Sequence, residues 1–472
     1  MTEPINAPGP RRQFVFAITA FGAFMASLDL SIVNVAFPSL EASFPADPRS
    51  TLAWVITAYS ILFGSLLVTA GRGADRYGRR RVFLGGLLVF ILGSFLCGIA
   101  PTVPLLVVGR IIQAVGAAAM LPASVGLLLM AYPSERRSQI VAIWGGIGAL
   151  AVATGPSLGA ALITIGGWRW AFFVNVPIGL LAIFLGLKVL PKSAGTPTGI
   201  APDYLGVATI TIAISALVLG ISQGPQWRWL SWPEAGCAAL TIGAGALFYR
   251  RASTYAEPVL DLKLFSARTF RYANLATMLY AMGFFAMLLG NILFLTSVWH
   301  YTILRAGLAI TPAPIVVASI SWASGRLAAR WGFRIVLVIG SIVLASGLMW
   351  YATMLGPRPE FLTRWLPGAI IAGVGIGMTF PVLAAAAVSS LKSDRFAVGS
   401  AVNQTARQIG GAIGIAVLVV ILGNAKSPAD ALANFRHLWI YTTLAIVASG
   451  ISSLAVKDAA APRAESVAQL RH

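Results

Sequence analysis

The chain has 472 residues, with 34 Lys and Arg against 15 Asp and Glu, and 58% of its residues are hydrophobic while 10% are charged. Soluble domains carry about 25% charged residues, so this composition excludes an ordinary water-soluble fold, and the apolar content excludes a disordered chain. The net charge of +19 would suit nucleic acid, but the basic residues fall in short clusters between apolar runs. We therefore predict a polytopic membrane protein with no nucleic-acid partner.

A polar leader at residues 1–12 precedes a series of apolar runs. A helix needs roughly 20 apolar residues to cross a bilayer, and membrane helices tolerate the Pro and Gly residues that fall inside these runs. We predict fourteen spans, at residues 13–37, 52–71, 82–101, 104–131, 139–165, 168–190, 204–222, 233–250, 271–298, 307–328, 335–355, 365–390, 397–422 and 438–456.

Lys and Arg residues are concentrated in alternate connecting segments, starting with the leader. Cytoplasmic loops of membrane proteins carry an excess of these residues, so the N-terminus is predicted to be cytoplasmic. An even number of spans places the C-terminus on the same side. We predict a multi-pass protein of the cell inner (plasma) membrane with both termini in the cytoplasm.

Two connecting segments share one pattern. Residues 71–78 read Gly-Arg-Gly-Ala-Asp-Arg-Tyr-Gly, and residues 325–332 read Gly-Arg-Leu-Ala-Ala-Arg-Trp-Gly. Their glycines predict a tight turn between two helices. Asp75 is predicted to cap the start of the following helix at its positive dipole end. The shared spacing favours an internal repeat over two unrelated basic loops.

Together with the two arginines that follow it, the first segment resembles the signature loop of the major facilitator superfamily, G-x-L-A-D-R-x-G-R-[KR], with Gly73 in place of the usual Leu. The resemblance implies an all-α fold of two six-helix bundles with two extra central helices. It divides the chain into a cytoplasmic leader at 1–12, a bundle at 13–190, two additional helices with linkers at 191–270, a bundle at 271–456 and a cytoplasmic tail at 457–472. It also implies an inner gate formed by Gly71, Asp75, Arg76, Gly78, Arg79 and Arg80.

Three further segments are similar to motifs of that family's fourteen-span drug:proton antiporter branch. Residues 28–38 read L-D-L-S-I-V-N-V-A-F-P, and residues 110–116 read R-I-I-Q-A-V-G, close to R-x-x-Q-G-x-G. Residues 155–160 read G-P-S-L-G-A, close to the antiporter motif G-P-x-L-G-G. Small residues allow close helix approach, and proline favours a bend in the helix. The segment has two interpretations: a bend that seals the cavity, as the resemblance implies, or simple tight packing of helices. The residues of this antiporter motif are Gly148, Gly155, Pro156 and Gly159.

Asp29 is the acidic residue placed well inside a predicted span, and Arg110 lies at a similar predicted depth in another, within roughly 5 Å. An intramembrane charge costs roughly 2.5–3.5 kcal/mol on insertion scales and is a functional candidate for that reason. Burial disfavours the charged form of a carboxyl group and a nearby cation favours it, a competition that a proton-coupled site needs. We hypothesise that the two form a proton-sensitive pair. A permanent structural ion pair is an equally good interpretation.

Other polar and aromatic side chains inside the spans are candidates for a substrate cavity. Met-rich and aromatic surfaces adapt to varied ligands, although most such residues in a span face lipid, which is the alternative for each. Arg407 lies too deep in its span to reach the interface easily; a structural role is favoured somewhat over substrate binding. The candidates are Asn34, Gln113, Tyr280, Phe284, Asn291, Phe380 and Arg407.

The sequence therefore predicts a proton-coupled secondary transporter that exports small amphipathic or lipophilic compounds, cationic ones included, by alternating access. A dedicated exporter of one metabolite, lipid or siderophore is an alternative, and a non-transporting membrane scaffold or sensor is another. No catalytic arrangement or phosphate-binding loop is evident, and the histidines lack a metal-ligand partner at close spacing. We predict no enzyme activity, no metal and no cofactor, and a monomer whose partners are substrate, protons and the lipid bilayer.

Overall fold

The computed structural model describes residues 9–191, 203–391, 396–423, 425 and 427–457, and every regular element in these ranges is helical. The first part of the chain forms α1 (Gly9–Ser43), α2 (Arg49–Leu52), α3 (Trp54–Tyr77), α4 (Arg79–Ile99), α5 (Val103–Ala131), α6 (Ser134–Gly166), α7 (Trp170–Phe173) and α8 (Asn175–Val189). The middle part forms α9 (Tyr204–Trp227), α10 (Trp232–Thr254) and a short 3-10 helix (Leu262–Ser266). The last part forms α11 (Arg268–Ser297), α12 (Ile303–Ile310), α13 (Pro312–Trp331), α14 (Phe333–Met354), a π-helical turn (Phe361–Trp365), α15 (Leu366–Ser389), α16 (Phe396–Leu422) and α17 (Pro428–Ser453).

Fourteen of the described helices have fifteen residues or more, and each predicted span overlaps one of them. Eleven helical stretches of the described residues are long and apolar enough to cross a membrane. Helices α6, α10 and α17 are not among these eleven, so fourteen crossings remain a prediction. Helix α1 begins at Gly9, inside the predicted leader. The rest of that leader, most of the linker before α9 and most of the C-terminal tail lie outside the described residues.

The two repeated segments form the same turn, as predicted. Helix α3 ends at Tyr77 and α4 begins at Arg79, with Gly78 between them at φ 95°. Gly332 connects α13 to α14 at φ 86°. A left-handed φ favours glycine because any side chain would be strained there. The predicted cap by Asp75 is wrong: it lies in the last turn of α3, and α4 begins without a side-chain cap.

Helices α9 and α10 form a hairpin on the outside of the bundle. Ile214 and Val218 of α9 pack against Ile61 of α3 and Ala416 of α16, so the hairpin contacts both halves of the molecule. At the start of α9, Asp203 accepts hydrogen bonds from the backbone nitrogen of Gly206 at 2.9 Å and from Arg251 Nε at 2.8 Å. This buried carboxylate ties the hairpin's two ends together.

Apolar packing joins the two halves at one end of the molecule and along α3 and α16, where Val68 shares a buried cluster with Phe270 and Val402. We call the end that carries the turn at Gly78 the motif end, and the opposite end the far end. At the far end, Phe37 of α1 shares a buried cluster with Leu293 and Phe294 of α11. A second cluster around Phe83 has all its fully buried members in the first half of the chain. The halves therefore pack closely at the far end and along α3 and α16, and a space remains between them that reaches the motif end.

Candidate functional site

Asp29 on α1 and Arg110 on α5 form an ion pair in which both side chains are 0% exposed. Arg110 Nη1 donates to Asp29 Oδ2 at 2.5 Å, and Arg110 Nε donates to the carbonyl oxygen of Val55 on α3 at 2.8 Å. The guanidinium also lies over the ring of Tyr59, 4.1 Å from its centroid. The sequence-based prediction that these two charges meet agrees with this geometry.

The pair belongs to a larger polar network. Gln113 accepts from Arg110 Nη1 at 2.7 Å and donates through Nε2 to Asp29 Oδ1 at 2.9 Å and to Ser94 Oγ at 3.0 Å. Asn175 Nδ2 also donates to Ser94 Oγ at 3.0 Å, and this hydroxyl donates to the carbonyl oxygen of Phe172 at 2.9 Å. Buried polar groups are costly unless they are hydrogen-bonded. This network satisfies both carboxylate oxygens of Asp29 and connects α1, α3, α4, α5 and α8.

A cavity of about 1080 Å³ lies between the two halves, lined mainly by α1, α3, α5 and α6 from one half and by α11, α13, α15 and α16 from the other. Asp29, Arg110 and Gln113 are not part of its lining, although Leu30 and Ser31, which follow Asp29, are. The ion pair therefore sits one layer behind the cavity wall, and the prediction that Gln113 lines the cavity is corrected: its amide is used by the buried network.

The cavity extends to the motif end and is closed towards the far end. Asp75 and Arg79 at the turn belong to its lining, and the Asp75 side chain is 62% exposed. On the side of the cavity towards the far end, the hydroxyls of Ser157 on α6 and Thr311 share a hydrogen bond of 2.5 Å. Gly307 of α12 lies so close to Pro156 that an added Cβ would sit 2.7 Å from its carbonyl oxygen. The molecule thus adopts a conformation with one open end.

The residues of the predicted inner gate meet around the turn. Asp75 accepts from Arg79 Nε at 3.0 Å and Nη2 at 2.9 Å, while Arg79 Nη1 donates to the carbonyl oxygen of Gly126 on α5 at 3.0 Å. Arg80 donates to the carbonyl oxygen of Leu187 on α8. The remaining members, Gly71, Arg76 and Gly78, lie in α3 or in the turn itself, Gly71 facing Pro122. The arginines of the turn fix the start of α4 to its neighbours in the same half.

The antiporter-motif glycines face α1. A Cβ added at Gly155 would collide with the side chain of Ser31, one at Gly159 would lie 3.1 Å from Ile32, and one at Gly148 would lie 3.4 Å from the hydroxyl of Ser27. The absence of side chains therefore lets α6 approach α1 closely. Pro156 lies inside α6, lines the cavity and points its carbonyl at α12.

Of the other predicted cavity residues, five line the cavity and one does not. The lining residues are Asn34, Phe284, Asn291, Phe380 and Arg407. Tyr280 is not among them: it is 2% exposed and lies behind Phe284, with the two rings stacked at 5.6 Å between centroids. The prediction for Tyr280 is therefore corrected, because its ring supports the wall instead of forming it.

The sequence analysis missed Gln404 and Gln408, which line the cavity on the same helix as Arg407. Gln404 lies three residues before Arg407 and four before Gln408, so the three side chains share one face of the helix. That spacing was the signal in the sequence that could have grouped them. It also missed Arg72, which lines the cavity and donates to the carbonyl oxygen of Glu257. The charged residues of the described lining are Arg72, Asp75, Arg79 and Arg407.

Comparisons with known proteins agree on family and fold. Residues 19–415 match the model of the family described as Major Facilitator Superfamily. The chain is 30% identical over 423 residues to a "Multidrug resistance protein B homolog" of Mycobacterium tuberculosis (strain ATCC 25618 / H37Rv), covering 89% of this chain and 78% of the relative. It is 33% identical over 415 residues to "Multidrug resistance protein Stp" of Mycobacterium tuberculosis (strain CDC 1551 / Oshkosh), covering 86% and 74%.

Among solved structures, a bacterial homolog of the human lysosomal transporter Spinster, in an inward-facing and occupied conformation, has a TM-score of 0.69 at 13% identity and covers 95% of this chain and 97% of that one. The xylose transporter XylE from E. coli, in an inward-open conformation, has a TM-score of 0.64 at 14% identity, covering 97% and 99%. At such identities these similarities show the fold alone.

Proposed function

The chain belongs to the major facilitator superfamily and is a multi-span membrane protein, and on that premise we propose that it is a proton-coupled secondary transporter that exports small amphipathic or lipophilic compounds. The multidrug resistance relatives support export. The observation that carries the proposal is the cavity of about 1080 Å³ between two helical halves, open at one end and closed at the other. A pocket of that size accommodates a drug-sized molecule.

Alternating access would move the opening from the motif end to the far end. In the proposed cycle the Ser157–Thr311 contact and the packing of Gly307 on Pro156 separate, while the segments around Asp75 and Arg79 approach the other half and close the gate. The close packing of α6 on α1 through Gly155 would make these two helices move together. The division into bundles at 13–190 and 271–456, the cytoplasmic termini, the inner-membrane location and the monomeric state belong to the same proposal.

Proton coupling is proposed to use Asp29. Protonation would remove the negative charge that holds Arg110 at 2.5 Å, and a charge-assisted hydrogen bond is roughly twice as strong as a neutral one. Because Leu30 and Ser31 line the cavity beside Asp29, a change in the pair would reach the cavity through α1 itself. The structural interpretation of the pair predicts instead that it stays intact throughout transport.

Export is tested by a growth panel of toxic compounds with and without expression of the chain. Increased tolerance to several unrelated compounds is expected. Tolerance to a single compound would favour a dedicated exporter. No change in tolerance, together with no proton release from purified protein on addition of any compound, would favour a scaffold or sensor.

Coupling is tested with Asp29→Asn in proteoliposomes that carry a pH gradient. We expect the gradient to stop driving accumulation, while exchange down the substrate's own gradient persists, because the amide cannot release a proton. Glu41→Gln is the matched control, since Glu41 pairs with Arg49 away from the network and the cavity. Gradient-driven transport by Asp29→Asn at the rate of the parent chain would exclude the coupling role.

A further inference from the structure

Arg407 is a cation in the interior of the cavity with no carboxylate partner among the described residues. It lines the cavity, and no ion pair among the described residues includes it. It lies eleven residues after the first residue of α16, which at 1.5 Å per residue is roughly 16 Å from the motif end of that helix. At that depth the guanidinium does not reach the anionic lipid headgroups as an arginine near a helix end does.

The other charges of the lining do not neutralise it. Asp75, the single acidic residue of the described lining, is paired with Arg79 at the motif end. Arg72 is held by the carbonyl oxygen of Glu257. A cleft lined by charges of one sign and with low-dielectric walls concentrates ions of the opposite sign. The deep part of the cavity therefore attracts anions and repels cations.

Apolar and polar groups surround Arg407 in the arrangement that an amphipathic ligand needs. Its guanidinium lies 4.5 Å from the ring centroid of Phe380, which in turn lies 5.6 Å from that of Phe284. On the same helix, Gln408 is 1% exposed, and both polar atoms of its side chain lack a hydrogen-bond partner among the described residues. Leaving a buried amide without a hydrogen bond is unfavourable, and a hydrogen-bonding ligand would remove that penalty.

We propose that this cavity binds amphipathic organic anions, with Arg407 holding the acidic group, Gln408 bonding to it, and Phe284 and Phe380 contacting the apolar body. The inference rests on the proposed export function and names its substrate class. It replaces the cationic compounds that the sequence analysis included. Guanidinium recognises a carboxylate by two parallel hydrogen bonds, so a carboxylic acid attached to an aromatic ring system is the simplest ligand of this kind.

The test compares three probes of equal shape: 2-naphthoate, 2-naphthamide and 2-naphthylmethylammonium. Their affinities are measured by titration of the purified full chain in phosphatidylcholine nanodiscs. We expect the anion to bind at least tenfold more tightly than the cation. We expect Arg407→Gln to weaken anion binding by about 10- to 100-fold and to change the affinity of the amide by less than about threefold. Arg407→Lys should keep most of the preference for the anion because it keeps the charge.

Arg305→Gln is the matched control, because Arg305 also stacks on an aromatic ring, 4.0 Å from the centroid of Tyr301, but does not line the cavity. It should leave all three affinities unchanged. The proposal is overturned if the cation binds the parent chain as tightly as the anion, if none of the probes binds, or if folded Arg407→Gln keeps the anion preference. The comparison within the parent chain and Arg407→Lys decides the question if Arg407→Gln does not fold.

These binding measurements do not depend on transport. The proposal of export and the proposal of an anionic ligand can therefore be tested independently. An anion preference with neither increased tolerance in the growth panel nor proton release would overturn export and leave the ligand class standing. Increased tolerance to toxic compounds without an anion preference would overturn the ligand class and leave export standing.

Discussion

Two arginines inside the membrane-spanning region have opposite surroundings. Arg110 in the first half is completely buried, paired with Asp29, and bonded to Val55 and Gln113. Arg407 in the second half faces the cavity and lies over an aromatic ring, and no carboxylate in the described part of the chain pairs with it. Both carry the insertion cost of an intramembrane charge, but of the two only Arg110 is paired with a carboxylate among the described residues.

The difference separates a charge that holds helices together from a charge that is available to a ligand. The partners of Arg110 come from α1, α3 and α5, so its removal would leave groups on three helices unsatisfied. Arg407 has donors that no described carboxylate uses, in a space large enough for a small molecule. Insertion cost alone therefore identifies functional candidates without saying which function each serves.

The largest expected effect is on stability when Arg110 is replaced. Arg110→Ala leaves the Asp29 carboxylate buried without its counter-ion, and breaking a buried pair in this way costs about 3–5 kcal/mol. Arg407→Ala removes a charge that forms no ion pair within the described ranges, so its effect should stay within about 1 kcal/mol. Thermal unfolding of both purified variants in the same detergent measures the contrast. Equal losses in the two variants would contradict the distinction drawn between the two arginines.

A loss of stability of intermediate size is expected when Gly155 is replaced, because this glycine of α6 packs directly against Ser31 of α1. In Gly155→Ala the new methyl group would overlap the side chain of Ser31, and overpacking of this kind costs about 1–3 kcal/mol. Export should fall as well if α1 and α6 move together. Thermal unfolding and substrate efflux measure the two effects.

Gly85→Ala is the control for that substitution, because a Cβ at Gly85 meets nothing within 4 Å. It should leave stability unchanged or raise it by up to about 1 kcal/mol, because alanine is the better helix former. Equal changes in stability for the two alanine variants would contradict the argument that Gly155 is needed for the close approach of α6 to α1.

The smallest expected effect on stability is at the turn, where the ion pair is exposed. The side chains of Arg79 and Asp75 are 32% and 62% exposed, and exposed pairs contribute about 0–1 kcal/mol. Asp75→Asn should therefore leave the unfolding midpoint almost unchanged, since Arg79 keeps its bond to the carbonyl oxygen of Gly126. A loss as large as that of Arg110→Ala would mean that burial does not set the strength of these pairs.

Much of the fold was predictable from local signals. Apolar runs located a helix in each predicted span, and two repeated glycines, Gly78 and Gly332, located the turns. The wrong prediction was the cap by Asp75, because a carboxylate within reach of an arginine one helical turn away pairs with it instead. The local sequence shows that Asp75, Arg79 and a helix start are close together. It does not decide whether Asp75 caps the helix or pairs with Arg79.

The candidate site was less predictable. Gln113 and Tyr280 were expected to line the cavity and do not, while Gln404 and Gln408 were overlooked and do. In a soluble helix the polar stripe indicates the solvent side, whereas a helix surrounded by lipid and other helices is apolar on most sides. A polar residue there faces another helix or the cavity. Spacing groups Gln404, Arg407 and Gln408 on one face of their helix but does not show which of the two that face meets.

The sequence by itself determined the membrane class, the positions of the helices and the family, because hydrophobic length and the glycine turn act within a few residues of the chain. Only the tertiary structure decided that Asp29 and Arg110 lie behind the cavity wall while Arg407 lies within the cavity. The rotation of each helix about its axis depends on how it packs against its neighbours, and that packing joins residues far apart in the chain.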